Sequence, residues 1–473
     1  KIICTYILFL SRWVEAMTVL WAKQALTTAG WQQDVRIEID ESGRIAAIQA
    51  DSQQPSGATT RTDILLPAVS NLHSHAFQRS MAGLTEKRGP DPRDTFWTWR
   101  QLMFRFLDQL TPDHVEAIAA FVQMEMLEAG YANNTEFHYL HHRPGGHLYD
   151  NIAEMAERIA AATEITGIGL TMLPVHYQYG GCDKRPLGPG QIRFGNDSEQ
   201  FAKLYEETAR AIQNLPSDTV LGVAPHSLRA VGREDLIGTA GLSKDGPIHM
   251  HLAEQLAEVD EVKESWGKRP TEWLLENADV NANWCLIHCT QMQEHETLGL
   301  AKTGAVAGLC PITESSLGDG IFDGVRYLNA GGIIGVGSDS NIRISLSEEL
   351  RTLEYSQRLR DNSRAALATA EKSTARRIYE DVAKGGAQAA GRDAGRIEVG
   401  ALADLMALDG SAVDLIGRTG DTILDTYIFA GDDRIVRDVW SAGRHVVTEG
   451  RHIAHDAITN RYRKVMEQLK EAV

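Results

Sequence analysis

Eight apolar runs, each followed by a stretch with helical periodicity, fill most of this 473-residue chain. The runs are DILLPAVSNLHSH, NTEFHYL, GIGLTMLPVHY, VLGVAPHSL, PIHMHLAE, WCLIHCT, AVAGLCPIT and GIIGVGSDS. Near-continuous apolar runs are typical of strands buried on both faces of a parallel sheet, where a helical crossover joins successive strands. Eight such units in about 320 residues predict a (β/α)₈ TIM-like barrel with insertions. A doubly wound sheet is the alternative, but no glycine-rich nucleotide fingerprint follows any run.

The helix after the first long insertion has clear start and stop signals. Thr111 is a good N-cap, Pro112 suits the first helical position, and Asp113 complements the helix dipole. Apolar residues then recur as far as Leu127, and Gly130 closes the pattern. These signals predict a helix between Thr111 and Gly130.

Short strands with glycine turns lie on both sides of the barrel pattern. VRIEID and RIAAIQA precede it, and GRIEVGALADLMALD and DDRIVRDVWSAGRHVVTEGR follow it. The simplest arrangement is one small β-sandwich domain built from both chain termini. The predicted boundaries are 1–16 for a non-native N-terminal extension, 17–66 and 391–455 for the two parts of the β-sandwich, 67–390 for the barrel, and 456–473 for a C-terminal amphipathic helix.

The first sixteen residues, KIICTYILFLSRWVEA, have a short apolar centre that could be taken for a signal peptide. Their charged region is a single Lys, and no A-x-A cleavage site follows, so we expect translation to start naturally at Met17. No later apolar run is long enough to span a bilayer.

Charge and cysteine content narrow the possible partners and compartment. The chain has 47 Lys and Arg against 64 Asp and Glu, a net charge of −17. This balance argues against nucleic-acid or anionic-membrane partners, and it means that an acidic small molecule would need arginines placed locally. Five scattered cysteines do not form a disulfide framework, so we expect reduced thiols in a cytoplasmic protein.

Polar residues with metal-binding chemistry follow several of the predicted strands. They are His73 and His75 after strand 1, His249, His251 and Glu254 after strand 5, His288 after strand 6, and Asp339 after strand 8. Residues i and i+2 of a strand share a face, and the carboxyl ends of barrel strands meet at one mouth. An H-x-H pair alone is a weak signal, and each residue alone could be structural. Together, several imidazoles, one carboxylate ligand and a spare Glu are the inventory of a catalytic zinc site.

Longer blocks of sequence narrow the interpretation further. NLHSHAFQRSMAGL, EFHYLHH, LPVHYQYGG, APHSLRAV and GSDSNIRISLSEELRTLEY are similar to blocks of the formimidoylglutamate deiminases, a family within the amidohydrolase superfamily. The resemblance extends from about Met17 to the end of the chain. It implies zinc-dependent hydrolysis of N-formimino-L-glutamate to N-formyl-L-glutamate and ammonia, a step of histidine degradation, through attack of metal-activated hydroxide on the formimino carbon. It also suggests a homodimer.

The same resemblance implies a role for each matching residue. The zinc ligands would be His73, His75, His251 and Asp339. The catalytic residues would be Glu254 as proton shuttle, His288 as holder of the attacking water without binding the metal, and Asp339 as acceptor of the water's proton. The substrate contacts would be Gln78, Arg100, Tyr139, His226 and Arg229. Two-metal relatives use a lysine on strand 4, and strands 3 and 4 contain no Lys here, so we expect one metal ion. Arg79 and Arg343 receive no role.

Two other functions are compatible with parts of the pattern. A deaminase acting on a heterocycle such as guanine would need a flat apolar slot with few cations, whereas Arg229, Arg100 and Tyr139 suit a dicarboxylate. A non-catalytic barrel scaffold would be expected to have lost metal ligands, and the full set is present here.

Overall fold

The computed structural model of the protein describes residues 17–54, 60–86 and 103–470. Residues 1–16 and Arg100, for which the sequence suggested an upstream extension and a substrate contact, lie outside the described residues. Two assemblies of strands organise the chain: a mixed sheet made from both chain ends, and a ring of parallel strands between them.

In the mixed sheet, four strands from the C-terminal end lie beside four strands from the N-terminal end, in the order β17-β16-β15-β14-β4-β1-β2-β3. Its strands are β1 (Thr18–Thr27), β2 (Gly30–Ile39), β3 (Ile45–Gln49), β4 (Thr60–Pro67), β14 (Leu405–Leu408), β15 (Val436–Ser441), β16 (Arg444–Thr448) and β17 (Arg451–His452). β4 pairs in parallel with β1 and antiparallel with β14, which joins the N-terminal and C-terminal segments. The prediction of a small β-domain built from both termini is confirmed.

The parallel strands form the barrel. They are β5 (Val69–Ser74), β6 (Tyr131–His138), β7 (Gly169–His176), β8 (Val220–Leu221), β9 (Ala224–Pro225), β10 (Ile248–Leu252), β11 (Trp284–His288), β12 (Val306–Leu309) and β13 (Ile333–Val336). β5 to β9 pair in one group and β10 to β13 in another. Two parallel bridges, Val223 with Ile248 and Ser74 with Asp339, join the groups at both seams. The predicted eight-stranded barrel is therefore confirmed, with β8 and β9 together filling the fourth position.

Helices cover the outside of the barrel and end the chain. They are α1 (Pro112–Glu128), α2 (Glu154–Thr166), α3 (Ser198–Ile212), α4 (Arg233–Ala240), α5 (Leu256–Trp266), α6 (Pro270–Asn277), α7 (Glu294–Leu300), α8 (Pro311–Leu317), α9 (Gly324–Asn329), α10 (Leu346–Asp361), α11 (Thr374–Ala389), α12 (Asp421–Phe429) and α13 (His455–Leu469). Short 3₁₀ turns lie at Ala76–Met81, Pro144–Gly146, Val413–Leu415 and Asp433–Ile435. α1 begins as predicted, because the Thr111 hydroxyl accepts a hydrogen bond from the His114 N–H at 3.3 Å. None of the described helices combines the length and apolarity that crossing a membrane requires.

The structure corrects the prediction at strands 1 and 4. The first apolar run is divided at Ala68, whose N–H donates to Asp404 O at 2.9 Å, so β4 belongs to the mixed sheet and β5 to the barrel. The fourth run is also divided, because Gly222 N donates to Met172 O whereas Val223 N donates to Pro247 O. The backbone thus changes partner from β7 to the segment before β10.

The second barrel strand begins earlier than its predicted start at Asn134. β6 starts at Tyr131, and both Asn133 and Asn134 are fully buried within it despite their poor strand propensity. Asn134 Nδ2 donates to Glu136 Oε2 at 3.2 Å. Side-chain hydrogen bonding of this kind offsets the cost of burying an amide.

Buried ion pairs tie the bottom of the barrel to the mixed sheet. Arg392 is fully buried and contacts Asp218 and Asp404, each at 3.0 Å, and Arg444 Nη1 lies 2.7 Å from Asp218 Oδ1. Burial raises the pKa of the Asp218 carboxyl, but the two guanidinium groups outweigh it and hold that pKa well below its ordinary value. Asp218 therefore supplies negative charge to two arginines, and this charge offsets the desolvation free energy of burying their guanidinium groups.

Replacing Asp218 with Asn should lower the free energy of unfolding by about 3–5 kcal/mol, because two buried guanidinium groups lose their shared counter-charge. Denaturant titration measures this change. The matched control is Glu276→Gln, which breaks a half-exposed pair with Lys268 and should cost less than about 1 kcal/mol. Equal losses in the two variants would show that the buried network has no special role.

Candidate metal centre and active site

Three histidines and one aspartate converge at the carboxyl end of the barrel. Each offers a ligand atom, and these atoms all lie within 4.8 Å of one another. His73 Nε2 is 3.2 Å from His251 Nε2. Asp339 Oδ1 is 3.5 Å from His73 Nε2 and 3.3 Å from His75 Nε2. The four residues that the sequence suggested as ligands therefore form one cluster.

The hydrogen bonds of the rings fit metal coordination. His75 Nδ1 lies 3.0 Å from Phe137 O, and His251 Nδ1 lies 3.1 Å from His226 O. A carbonyl oxygen can only accept, so each Nδ1 carries the proton and each Nε2 directs a lone pair at the cluster. Burial lowers the pKa of His75 to about 3 and lowers those of His73 and His251 well below the ordinary value. Neutral imidazoles with converging lone pairs and one carboxylate suit a transition-metal ion.

Left-handed backbone conformations occur where barrel strands end at this cluster. The φ angle is +52° at Ala253 after β10, +72° at His288 and +54° at Cys289 after β11, and +46° at Asp339 after β13. Non-glycine residues seldom adopt such angles, and these conformations are concentrated at functional sites. Two of these residues, His288 and Asp339, also belong to groups whose atoms could hold a metal ion.

His288 and Glu254 lie beside the cluster of three histidines and one aspartate. His288 Nε2 is 3.8 Å from Glu254 Oε1 and 3.9 Å from Asp339 Oδ2, while its Nδ1 is 3.3 Å from Glu314 Oε1. Burial lowers the pKa of His288, but the carboxylates of Glu254, Glu314 and Asp339 outweigh burial and raise it to about 10. The ring is thus held by one acid at Nδ1 and presents Nε2 to the other two.

A cavity opens over the cluster. Residues predicted from the sequence that line it are His75, Gln78, Tyr139, His226, Arg229, His251, Glu254, His288 and Asp339. Lining residues that the sequence did not suggest are Met103, Phe194, Leu317 and Ser340. These four have ordinary core or turn character, so only their position in the fold identifies them.

The polar groups of the cavity form two sets. Gln78 Nε2 donates to the Tyr139 hydroxyl at 2.8 Å, and Gln78 Oε1 has no hydrogen-bond partner among the described residues. The ring of Phe194 packs edge-on against the ring of Tyr139, with the two ring centroids 4.7 Å apart. Arg229 is only 7% exposed, and its Nη2 lies 3.9 Å from Glu254 Oε2. The lining of the cavity therefore includes both a guanidinium and an amide.

Three buried acids support the site and were not singled out in the sequence. Glu314 lies against His288, Glu258 lies on the first turn of α5, and Asp319 accepts a hydrogen bond from Gln255. Glu258 follows Glu254 by four residues, but Glu254 precedes the start of α5, so helical spacing does not relate the two. Glu314 and Asp319 reach the site only through the packing of α8 and the loop after it.

Three residues near the mouth have structural contacts. Arg79 forms a double ion pair with Glu125, with Nε 2.8 Å from Oε2, and also donates to the Asn341 carbonyl at 3.0 Å. Arg343 is more than half exposed and pairs with Glu348. His249 Nε2 lies 2.7 Å from Ala389 O, outside the group of converging ligand atoms. Arg79 thus ties the turn after β5 to α1 and to the loop after β13, whereas Arg343 makes a surface ion pair.

Two family models match the chain. The model described as "Amidohydrolase family" matches residues 64–446, and the one described as "Formimidoylglutamate deiminase HutF, N-terminal domain" matches residues 17–61. Together they cover the barrel and most of the mixed sheet, as far as residue 446 in β16.

Similar proteins cover nearly the whole chain. The formimidoylglutamate deiminase of Pseudomonas aeruginosa is 43% identical over 455 residues, which are 96% of this chain and 100% of that protein. The crystal structure of an amidohydrolase from Brucella melitensis aligns with a TM-score of 0.91 at 44% identity, covering 96% of this chain and 100% of the other. An adenosine deaminase from Xanthomonas campestris solved with bound zinc has a TM-score of 0.80 at 21% identity, covering 96% and 99%, and shares the fold.

Replacing His251 with Asn should remove bound metal, whereas His249→Asn should retain it. Of these two histidines, His251 directs its Nε2 lone pair at the cluster, whereas the Nε2 of His249 lies against the Ala389 carbonyl oxygen. Elemental analysis of protein isolated with zinc measures the difference. A chelator should lower the melting temperature of the wild-type and His249→Asn proteins and leave that of His251→Asn unchanged, because a ligand stabilises only the state that binds it. Full metal content in His251→Asn would contradict the assignment.

Proposed function

The chain belongs to the amidohydrolase family and, within it, to the formimidoylglutamate deiminases, and from this we propose that it hydrolyses N-formimino-L-glutamate to N-formyl-L-glutamate and ammonia. This assigns it to histidine degradation. The observation that carries the proposal is the meeting, in one cavity, of a three-histidine, one-aspartate donor set with Arg229 and the Gln78–Tyr139 pair.

The substrate has two carboxylates and one formimino group, and the cavity offers a partner for each kind of group. Arg229 would hold one carboxylate, since a guanidinium binds carboxylate oxygens through two parallel N–H bonds. Gln78 and Tyr139 would contact the substrate next to the metal ligands, with His226 beside them. We further propose Arg100, which lies outside the described residues, for the second carboxylate.

We propose one zinc ion, held by His73, His75, His251 and Asp339. A bound zinc ion lowers the pKa of water and so makes a hydroxide nucleophile available near neutral pH. One position is favoured, because the second potential donor group among the described residues, His288, Cys310 and Asp339, shares Asp339 with the first. The missing strand-4 lysine supports the same stoichiometry.

The chain's own residues would move the protons of the reaction. Asp339 would take a proton from the attacking water, and His288, whose Nε2 lies 3.9 Å from Asp339 Oδ2, would hold that water in line. The new C–O bond forms at the formimino carbon, and the C–N bond to the imino nitrogen must then break. Glu254 would deliver the proton that lets this nitrogen leave as ammonia. Net consumption is one water, and the formyl amide remains on glutamate.

We also propose a cellular compartment, a partner molecule and an oligomeric state for the protein. Cys182, Cys285, Cys289 and Cys310 are buried free thiols, which supports a reducing environment such as the cytoplasm. A small dicarboxylate is the proposed partner molecule, without nucleic acid or membrane, and a homodimer is proposed from the family.

A steady-state ammonia-release assay tests the function directly. The zinc-loaded protein should hydrolyse N-formimino-L-glutamate with kcat/KM at least about 10³-fold above its value for guanine, because guanine lacks the carboxylate that Arg229 is proposed to bind. The aspartate homologue, shorter by one methylene, should fall between the two. A preference for guanine would replace the proposal with a heterocycle deaminase, and failure to bind any divalent metal would favour a non-catalytic barrel.

A further inference from the structure

The turn between β10 and α5 carries Glu254, and a buried carboxylate holds that turn by its backbone. Glu258 is fully buried in the first turn of α5. Its Oε1 accepts a hydrogen bond from the Ala253 N–H at 3.2 Å, and its Oε2 accepts one from the Glu254 N–H at 3.0 Å. The two carboxylate oxygens thus bind the backbone N–H groups of two consecutive residues, and the first of these, Ala253, has a left-handed backbone conformation.

The carbonyl side of the same turn is also held. The Thr290 hydroxyl donates to Glu254 O at 2.8 Å, and the Gln291 N–H donates to Ala253 O at 2.9 Å. All four backbone polar groups of Ala253 and Glu254 therefore have partners from two different elements, α5 and the segment after β11. Rotation of the turn would break several of these bonds at once, so the direction in which the Glu254 side chain leaves the backbone is fixed.

The carboxylate of Glu254 itself has looser contacts. Its oxygens lie 3.8 Å from His288 Nε2 and 3.9 Å from Arg229 Nη2, which is longer than a hydrogen bond. A group that must first hold and then release a proton cannot be locked by strong ion pairs of its own. Its placement consequently depends on the backbone from which it projects.

The cap at this turn is a buried carboxylate, which needs positive charge nearby. A Ser, Thr or Asn side chain can satisfy an N–H at a turn without the cost of burying charge. Burial raises the pKa of the Glu258 carboxyl, and the guanidinium of Arg229 opposes that rise. The charge of Glu258 is therefore stabilised from within the site, by the residue proposed to hold the substrate.

We infer that Glu258 is a positioning residue for the hydrolysis, which acts by holding the Ala253–Glu254 turn so that the Glu254 carboxylate faces the departing nitrogen. The inference rests on the proposed function of Glu254. It predicts that changes at Glu258 act on turnover and act through Glu254.

The test is a double-mutant cycle with Glu258→Gln and Glu254→Gln. Gln keeps the volume of Glu258 but turns an NH₂ group toward one of the two backbone N–H groups, so at most one of the two hydrogen bonds survives. In the wild-type background, kcat should fall about 10- to 100-fold, as expected for a misplaced catalytic group, with KM and metal content little changed. In the Glu254→Gln background, the same change should cost less than about twofold, because residues that act as a unit are not additive.

Glu354 provides a matched control. It is fully buried in α10, and its two oxygens accept from the consecutive N–H groups of Ala366 and Leu367 at 2.8 and 3.0 Å. Glu354→Gln should lower the melting temperature by a similar amount to Glu258→Gln and leave kcat unchanged. Glu258→Asp keeps the charge near Arg229 but shortens the reach to the turn, so kcat should fall in this variant too, and it serves if Glu258→Gln does not fold.

Three results would overturn the inference. The first is a wild-type kcat in Glu258→Asp. The second is a rise in KM without loss of kcat in Glu258→Gln, which would mean that Glu258 acts only on Arg229. The third is an equal loss of kcat on Glu258→Gln in the wild-type and Glu254→Gln backgrounds. The wild-type rate on N-formimino-L-glutamate is measured first and decides the proposed function. The cycle is measured on the substrate that the wild-type protein hydrolyses, so the two proposals can fail separately.

Discussion

The seam between the first and last barrel strands is the constraint on which the site depends. Asp339 N donates to His73 O and His75 N donates to Asp339 O, both at 2.9 Å. These two bonds continue the parallel ladder past the end of β13 and bring residues separated by more than 260 positions to adjacent places. Closure of the barrel at this seam therefore brings together three of the four candidate ligands, His73, His75 and Asp339.

A buried polar network keeps the seam in register. Asn71 accepts from the Ser338 N–H at 3.0 Å and donates to the Ser338 hydroxyl at 2.6 Å, and Asn341 donates to Ser74 at 3.2 Å. Gly337 lies at the closest approach, where a Cβ would be 2.6 Å from His73 N. A fully satisfied network of this kind specifies one arrangement, because a shift in register would leave several buried groups without partners.

The interior next to the seam is rich in acids. Glu254, Glu258, Glu314, Asp319 and Asp339 are all buried, whereas the cationic groups among them are Arg229 and His288. Burial raises the pKa of Asp339 to about 7, and burial together with the nearby Glu254 carboxylate raises the pKa of Asp319. Such a concentration of carboxylates is costly to bury unless positive charge is close by. A divalent metal ion at the histidine cluster would supply it, so the surrounding acids agree with the metal-binding character of the donor set.

The sequence predicted the barrel and the convergence of its polar strand ends, because both follow from local periodicity and from a general rule of this fold. His73 and His75 could be placed together since residues two apart share a face. The contact between Glu314 and His288 could not be predicted, since it depends on how α8 packs against β11. Likewise, no local signal marks Ala68 as the point where the chain passes from the mixed sheet to the barrel. The structural role of Arg79 could not be predicted either, because its partner Glu125 is distant in sequence.

The most direct test of the account is a zinc titration of the metal-free protein, followed by ammonia release from N-formimino-L-glutamate. One centre held by His73, His75, His251 and Asp339 predicts activity that rises in proportion to added zinc and reaches a plateau at one equivalent per chain. A plateau only at two equivalents, or full activity in the metal-free protein, would contradict it.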